Sequence, residues 1–208
     1  MEDGSGPQRA KKLLNVGGNS KAIAIPEHYA GWTHHLLDID PRGDPDILCD
    51  ARRLNTLPAA SYDAVYCSHN LEHYFAHEVP NVLMGFHHVL TSHGFAEIRV
   101  PDLALLMRTV AAKNLDLTDV IYQSKAGPVR VRDVIYGFGP EIERSGNDFF
   151  AHKTGFSPKS LIQVLRQCAF ATCYLERRRL EIRAVAFKQQ PAPELLAALG
   201  VAATRKPA

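Results

Sequence analysis

Short apolar runs, each followed within a few residues by glycine, proline or aspartate, recur along this chain and alternate with stretches of helical periodicity. Runs of this length and composition are typical of strands buried in a parallel sheet. Five occur in the first half of the chain, at residues 12–16, 35–40, 46–49, 62–67 and 95–100. Two more, at 171–176 and 180–187, are separated only by a short basic turn, so these two strands must be antiparallel to each other.

Helical signals lie between the apolar runs. Residues 81–90 place their apolar side chains at intervals of three and four, which is one face of a helix. Asp102 can cap a following helix, and Ser157 before Pro158 is a typical helix start. The sequence therefore predicts an α/β fold: a Rossmann-like, mostly parallel seven-stranded sheet with an antiparallel C-terminal hairpin and helices on both faces.

The chain divides into one domain with loose ends. Residues 1–11 are polar and are expected to form a flexible arm, and residues 12–189 a single domain. Within it, residues 116–155 are rich in glycine and aromatic side chains and do not belong to a minimal sheet, so they are expected to form an ordered lid over a substrate. Residues 190–208 are expected to be a tail outside the fold, with at most one short helix at 194–199.

Composition excludes several classes of protein. With 208 residues, 46% of them hydrophobic and 22% charged, the chain is an ordinary globular protein rather than a disordered or fibrous one. No apolar run approaches the ~20 residues of a membrane span, and the first residues lack the apolar core of a signal peptide. A net charge of +2 gives no argument for nucleic acid or membrane partners, and a cytoplasmic location is expected. The four cysteines form no CxxC pair, and Cys49 and Cys67 are expected to be buried thiols.

Polar residues and glycines follow the first four predicted strands. They are Asn15-Val16-Gly17-Gly18 after the first, Asp40 in LLDIDP after the second, Asp50-Ala51 after the third, and Ser68-His69-Asn70-Leu71-Glu72-His73 after the fourth. Because ligands of such sheets bind at the carboxyl ends of the strands, these residues are expected to meet at one edge.

In this order the segments resemble the class I S-adenosylmethionine-dependent methyltransferases, in particular the small type 11-like group, over about residues 12–110 and 155–188. The resemblance implies a methyltransferase that uses S-adenosylmethionine. The cofactor-binding residues it implies are Asn15, Gly17, Gly18, Asp40, Asp50, Ala51 and Ser68. In this scheme Asp40 accepts the ribose hydroxyls, with Asp38 as the alternative, and Asp50 accepts from the adenine amino group.

The acceptor side is less defined by the sequence. Its candidate catalytic residues are His69, His152, Tyr136 and Asp102, with His152 preferred as the base. The acceptor is expected to be a small or medium molecule, with a glycan-type molecule among the possibilities, and its methylated atom is left open.

One departure from the family pattern keeps a second function open. The family usually shows GxGxG with an acid two residues before the first glycine, whereas this chain has Asn15 there and continues Gly17-Gly18-Asn19. Only 13 residues separate Gly18 from Trp32, and Pro26 interrupts them, so the usual helix after the glycine turn is expected to be short or missing. A domain of the same fold that binds or scaffolds without catalysis is therefore the alternative.

A metal site is a remote alternative. His69-Asn70-Leu71-Glu72-His73 fits H-x-x-E-H, the pattern of one class of zinc peptidases, with His77 as a third imidazole. Because His69 directly follows a strand end, it is expected on a turn rather than within a helix, and no metal is expected. The arginines Arg177–Arg179 and Arg183 are expected to form a solvated turn or to protect a sheet edge.

Overall fold

The computed structural model describes residues 9–124 and 126–201. Its main sheet has seven strands in the order β3-β2-β1-β4-β5-β9-β8. These strands are β1 Lys12–Val16, β2 Thr33–Asp38, β3 Ile47–Leu48, β4 Tyr62–Ser68, β5 Leu90–Pro101, β8 Thr172–Arg178 and β9 Glu181–Phe187. Strands β1 to β5 pair in parallel, and β9 lies antiparallel between β5 and β8. The predicted fold class is confirmed.

Six helices and a small hairpin complete the described part of the chain. They are α1 Val79–Val89, α2 Leu103–Lys113, the hairpin of β6 Val120–Ser124 with β7 Gly127–Arg130, α3 Val131–Tyr136, α4 Gly139–Ser145, α5 Pro158–Gln167 and α6 Pro193–Ala198. The predicted helix starts at Asp102 and Ser157 are confirmed, because each side chain accepts a hydrogen bond from the backbone N–H three residues on.

The two faces of the sheet are covered unequally. On one face α1 and α5 bury a large apolar cluster that includes Leu83, Phe86 and Leu161. On the other face the link between β1 and β2 contributes only the 3₁₀ turn Glu27–Tyr29, so the expected short connection is observed. Tyr29 is fully buried there against aromatic side chains of the sheet.

The C-terminal segment belongs to the fold, which corrects the prediction of a tail beginning at residue 190. Leu196, Leu199 and Val201 are each 5% exposed and pack with Tyr29 and Phe187. The reason is that the missing helix between β1 and β2 leaves this face of the sheet open, and α6 with the residues after it covers the apolar surface.

The four arginines of the basic cluster differ in burial, since Arg183 is buried and Arg177–Arg179 are exposed. Arg183 lies on β9, is only 3% exposed and donates from Nε to Glu97 Oε1 over 2.8 Å, so the expectation of a solvated side chain is wrong for this residue. Arg177–Arg179 are exposed at the β8–β9 turn, as expected. Among the described residues no helix is long and apolar enough to cross a membrane.

Candidate active site at the carboxyl ends of the strands

In the turn after β1, the backbone of Gly17 lies directly against the polar side chain of Asn70. Gly17 has φ +70° and donates its N–H to the Leu37 carbonyl oxygen on β2 at 2.8 Å. A Cβ at Gly17 would overlap the side-chain amide of Asn70, from the turn after β4. Glycine is therefore required here both for the left-handed conformation and for the close approach.

Two aspartates lie at the end of β2, Asp38 as its last residue and Asp40 two residues further on, and their oxygens have different hydrogen-bond partners. Asp38 accepts from the backbone N–H of Asn19 at 2.9 Å through one oxygen and from that of Asp40 at 3.0 Å through the other. Asp40 is held by Arg42, which donates from its backbone N–H and from its guanidinium to both oxygens. These bonds lower the pKa of Asp40. A carboxylate has about four acceptor positions, so Asp38 keeps capacity for a ligand while Asp40 has little left.

Asp50, which follows β3, is bound by an arginine two residues further on, in the same way as Asp40. Asp50 accepts from the backbone N–H and guanidinium of Arg52, which also pairs with Glu78 of the turn before α1. Partial burial would raise the pKa of Asp50, but the hydrogen bonds from Arg52 outweigh it and lower the pKa. Asp40 and Asp50 thus each begin a short 3₁₀ turn and bind an arginine two residues further on.

These turns surround one cleft of about 230 Å³. It is lined by Gly17, Asn19, Asp38, Ile39, Asp40, Asp50, Arg52, His69, Asn70, His73, Tyr74, Glu78, Phe149, Phe150 and Lys153. Of the predicted cofactor-binding residues, Gly17, Asp40 and Asp50 reach this cleft. Asn15 and Ala51 are buried, Gly18 packs on the Asn15 side chain, and Ser68 is the last residue of β4, so these four adjoin the lining rather than form it.

His69, directly after β4, stands between two carboxylates. Its φ is +50°, its backbone N–H donates to the Arg99 carbonyl oxygen, and its ring nitrogens lie 2.9 Å from Glu181 Oε2 and 3.4 Å from Glu72 Oε1. Burial disfavours the charged ring, but the two carboxylates outweigh it and raise the pKa of His69 to about 10. The two carboxylates therefore favour the protonated form of the His69 ring, which does not suit a proton acceptor.

Glu72 is a buried carboxylate at the centre of three imidazoles. It is 1% exposed, and neither oxygen has a hydrogen-bond partner among the described residues. Burial would raise the pKa of Glu72, but the neighbouring His69, with His73 and His152, lowers it. One carboxylate oxygen of Glu72 and one ring nitrogen each of His73 and His152 lie within 4.8 Å of one another.

His152 reaches this place because the end of the 116–155 insertion docks on the turn after β4. The N–H groups of Lys153 and Thr154 both donate to the Glu72 carbonyl oxygen, and the His152 N–H donates to that of Tyr136. The His152 ring bonds the Val134 carbonyl oxygen through Nδ1 at 3.0 Å, and Nε2 points toward Glu72 at 4.0 Å. Burial lowers the pKa of His152, which is the opposite of the shift at His69.

Two further cavities adjoin the cleft at His69. One of about 610 Å³ lies between α2, the β6–β7 hairpin and the β8–β9 turn, and its charged lining is Lys113, Arg178, Arg179 and Glu181. The other, of about 220 Å³, is lined by His152, Tyr122 and Phe138 among others. The insertion expected to form a lid thus contributes to all three cavities.

The other two predicted catalytic residues lie apart from these cavities. Asp102 is fully buried, caps α2 and lies 3.1 Å from Arg177 Nε, so the structure gives it a structural part. Tyr136 is 61% exposed as a residue and lines none of the three cavities. His77, the third imidazole of the zinc pattern, stacks on Phe75 outside the Glu72 cluster.

Sequence reasoning missed the pairing of Glu72 and His73 with His152. The residues are about 80 positions apart, and no periodicity links them. Asp38, the alternative to Asp40 in the sequence analysis, is the acid that lies within hydrogen-bond reach of the glycine turn, and the choice between them stays a prediction.

Comparisons with known proteins agree with the architecture. A SAM-dependent methyltransferase from Archaeoglobus fulgidus superposes with a TM-score of 0.53 at 14% identity, over 86% of each chain. The PH0226 protein from Pyrococcus horikoshii gives 0.54 at 14% identity, over 87% of this chain and 83% of that one. A SAM-dependent methyltransferase from Methanosarcina mazei gives 0.53 at 13% identity, over 88% and 95%. No family model matches the sequence, and no curated protein matches it.

The chain therefore has the fold of the class I SAM-dependent methyltransferases. The strand order, the antiparallel β9 and the cleft at the carboxyl ends of β1 to β4 all belong to this architecture. Identities of this size concern the fold, and the chemistry has to be argued from the site.

Proposed function

We propose that this protein binds S-adenosylmethionine in the cleft at Gly17 and transfers its methyl group to an acceptor in the cavities beyond His69. The observation that carries the proposal is the meeting of three strand ends around one cleft. Gly17 presents backbone, Asp38 a carboxylate with free acceptor positions, and Asp50 a carboxylate that Arg52 already binds. Backbone at a glycine suits the amino-acid part of the cofactor, and the free positions of Asp38 suit its ribose hydroxyls.

The proposed reaction is an in-line displacement. The acceptor's nucleophilic atom attacks the sulfonium methyl carbon, the carbon–sulfur bond breaks, and S-adenosylhomocysteine leaves with the bonding electrons. The main contribution of the protein is to align the two reactants. The continuity of the cleft with the acceptor-side cavities at His69 supports this arrangement.

The acceptor cavity favours an anionic or polar molecule. Lys113 and Arg179 line the larger cavity, and neither forms an ion pair within the part of the chain that the structure describes. Leu105, Ile121 and Leu180 add an apolar wall. We therefore expect the acceptor to carry a negative charge next to an apolar portion, and the methylated atom stays open.

Calorimetric titration with S-adenosylhomocysteine tests the cofactor site. We expect Asp38→Asn to weaken binding at least about tenfold, because hydrogen bonds to a charged acceptor contribute about 1.5–3 kcal/mol. Asp40→Asn is the matched control and should weaken binding less, since Arg42 already occupies its oxygens. A larger effect at Asp40 than at Asp38 would assign the ribose to Asp40 and refute this division of roles.

The non-catalytic alternative has one observation in its favour. Arg42 and Arg52 occupy two of the three cleft carboxylates, and Phe149 and Phe150 narrow the cleft. Its 230 Å³ is below the roughly 300–1,000 Å³ of most small-molecule sites. A folded protein that takes up neither S-adenosylmethionine nor S-adenosylhomocysteine at millimolar concentration would refute the methyl transfer and favour the non-catalytic alternative.

A further inference from the structure

We propose that Glu72, His73 and His152 bind a divalent transition-metal ion between the nucleoside cleft and the acceptor cavities. The first support is the state of Glu72, a carboxylate that is 1% exposed and has no hydrogen bond to either oxygen among the described residues. Taking an ionised carboxylate out of water without hydrogen bonds is strongly unfavourable. His69 Nδ1, 3.4 Å from Oε1, offsets part of this cost, but Oε2 has neither a hydrogen bond nor an ion pair within the described part of the chain. A metal ion would supply the missing positive partner.

The second support is the orientation of the two imidazoles. His152 Nδ1 lies 3.0 Å from the Val134 carbonyl oxygen, and His73 Nδ1 lies 3.1 Å from that of Ala151. A metal-binding histidine usually donates its other ring N–H to a backbone carbonyl or a carboxylate, which fixes its tautomer. His152 therefore has the arrangement in which Nε2 carries the lone pair and points toward Glu72, whereas both ring nitrogens of His73 face carbonyl oxygens and its Nε2 would have to turn from His69 to bind a metal.

The third support is spacing. His152 Nε2 and Glu72 Oε1 are 4.0 Å apart, and the three ligand atoms lie within 4.8 Å of one another. Two ligands bonded to one ion at about 2.1 Å lie about 3–4 Å apart, so small side-chain rotations complete the site. His73 Nε2, now 3.2 Å from the His69 carbonyl oxygen, would exchange that contact for the metal.

The donor set indicates the class of ion. Two imidazoles and one carboxylate suit zinc, manganese, iron or cobalt better than magnesium, which prefers oxygen ligands. Three protein ligands leave at least one position open, as in catalytic sites. If the proposed methyl transfer is correct, the open position would hold an acceptor oxygen, since His69 next to the cluster lines both the cleft and the acceptor cavities.

The test is metal binding by the full chain without cofactor. Protein stripped with a chelator is titrated with Zn²⁺ and Mn²⁺ by calorimetry and with Co²⁺ by visible absorption. We expect one ion per chain, and at least about tenfold weaker binding in both Glu72→Gln and His152→Ala. His77→Ala is the control, because this imidazole lies in the same sequence motif but outside the cluster, and it should bind as the wild type does.

Two results would overturn the metal site. One is a folded wild-type protein that binds none of the three ions at millimolar concentration. The other is unchanged binding in Glu72→Gln and His152→Ala, or binding that is lost in His77→Ala. If Glu72→Gln fails to fold, His152→Ala at the cavity wall decides the question. A chain that binds zinc but not S-adenosylhomocysteine refutes the proposed function and leaves the metal site intact, and the reverse result refutes the metal site alone.

Discussion

At the scale of single residues, the candidate site depends on positions where the backbone is forced into unusual conformations. Gly17, Asn19 and His69 all have positive φ and all line the same cleft. For Asn19 and His69 this conformation costs free energy, and it persists because hydrogen bonds to Asp38, Arg99 and Glu181 hold each residue in place. Such positions cluster at functional sites more often than elsewhere.

The substitution Gly17→Ala tests whether the turn after β1 requires glycine. We expect it to lower the free energy of unfolding by about 2–3 kcal/mol, measured by urea denaturation, because the Cβ would meet Asn70 and would also force a left-handed alanine. Gly146→Ala is the matched control, since its φ is +64° and nothing lies within 4 Å of its would-be Cβ. It should cost only about 1 kcal/mol. Equal losses would mean that Asn70 moves aside freely.

The proton state of His69 gives a second residue-scale prediction. We expect its pKa, followed by NMR, to lie well above 8, because Glu181 and Glu72 stabilise the charged ring. Glu181→Gln should lower this pKa, whereas Glu176→Gln, on the neighbouring strand without contact to His69, should not. Since the folded-state pKa is raised, the stabilisation is complete below about pH 6.5 and is lost as the pH rises towards 10. A His69 pKa near 6.5 would contradict the ion pairs.

At the scale of elements, the segment after β9 replaces a helix that the β1–β2 link lacks. Leu196 of α6 packs on the same face of the sheet as Tyr29, and the carbonyl oxygen of Leu199 accepts from Arg183 Nη2. The sequence marks this segment as Ala-rich and proline-interrupted, and nothing local shows that it is buried. Its place follows from the apolar surface that the short link leaves open.

Leu196→Ala tests the role of α6. We expect it to lower the free energy of unfolding by about 2–4 kcal/mol, because Leu196 is 5% exposed in a packed cluster. Glu194→Ala, on the exposed side of the same short helix, should change stability by less than about 0.5 kcal/mol. Denaturant titration of both variants measures the difference. A loss below about 1 kcal/mol in Leu196→Ala would show that α6 contributes little to the fold.

At the scale of the whole molecule, one buried charge network joins distant parts of the chain. Glu97 on β5 is fully buried and binds Arg183 on β9, Arg99 beside it on β5 and His28 in the β1–β2 link. Burial opposes the charge of Glu97, but Arg183 and then Arg99 outweigh it and lower the pKa of Glu97 to about 2. The network ties the C-terminal hairpin to the central strands on the face opposite α1 and α5.

This network predicts an acid dependence of stability. Because the folded-state pKa of Glu97 is depressed, its contribution is complete above about pH 4.5 and is lost as the pH falls towards 2, a loss of about 3 kcal/mol. Glu97→Gln should be less stable than the wild type by about 3–5 kcal/mol at pH 7, since it leaves Arg183 buried without its carboxylate. The difference between the two proteins in urea unfolding should shrink as the pH falls through this range. If the difference in unfolding free energy between wild type and Glu97→Gln stayed constant with pH, the depressed pKa of Glu97 would be contradicted.

Local pattern in the chain was sufficient for the approximate positions of the strands, the antiparallel C-terminal hairpin, the helix starts at Asp102 and Ser157, the glycine turn and the acids after β2 and β3, because each of these depends on neighbours within a few residues. The burial of Arg183 and Leu196, the occupation of Asp40 by Arg42, and the meeting of Glu72 with His152 depend on packing between distant segments. A buried carboxylate has the same sequence signature as an exposed one. Its partners are known only when the sheet and the insertion close around it.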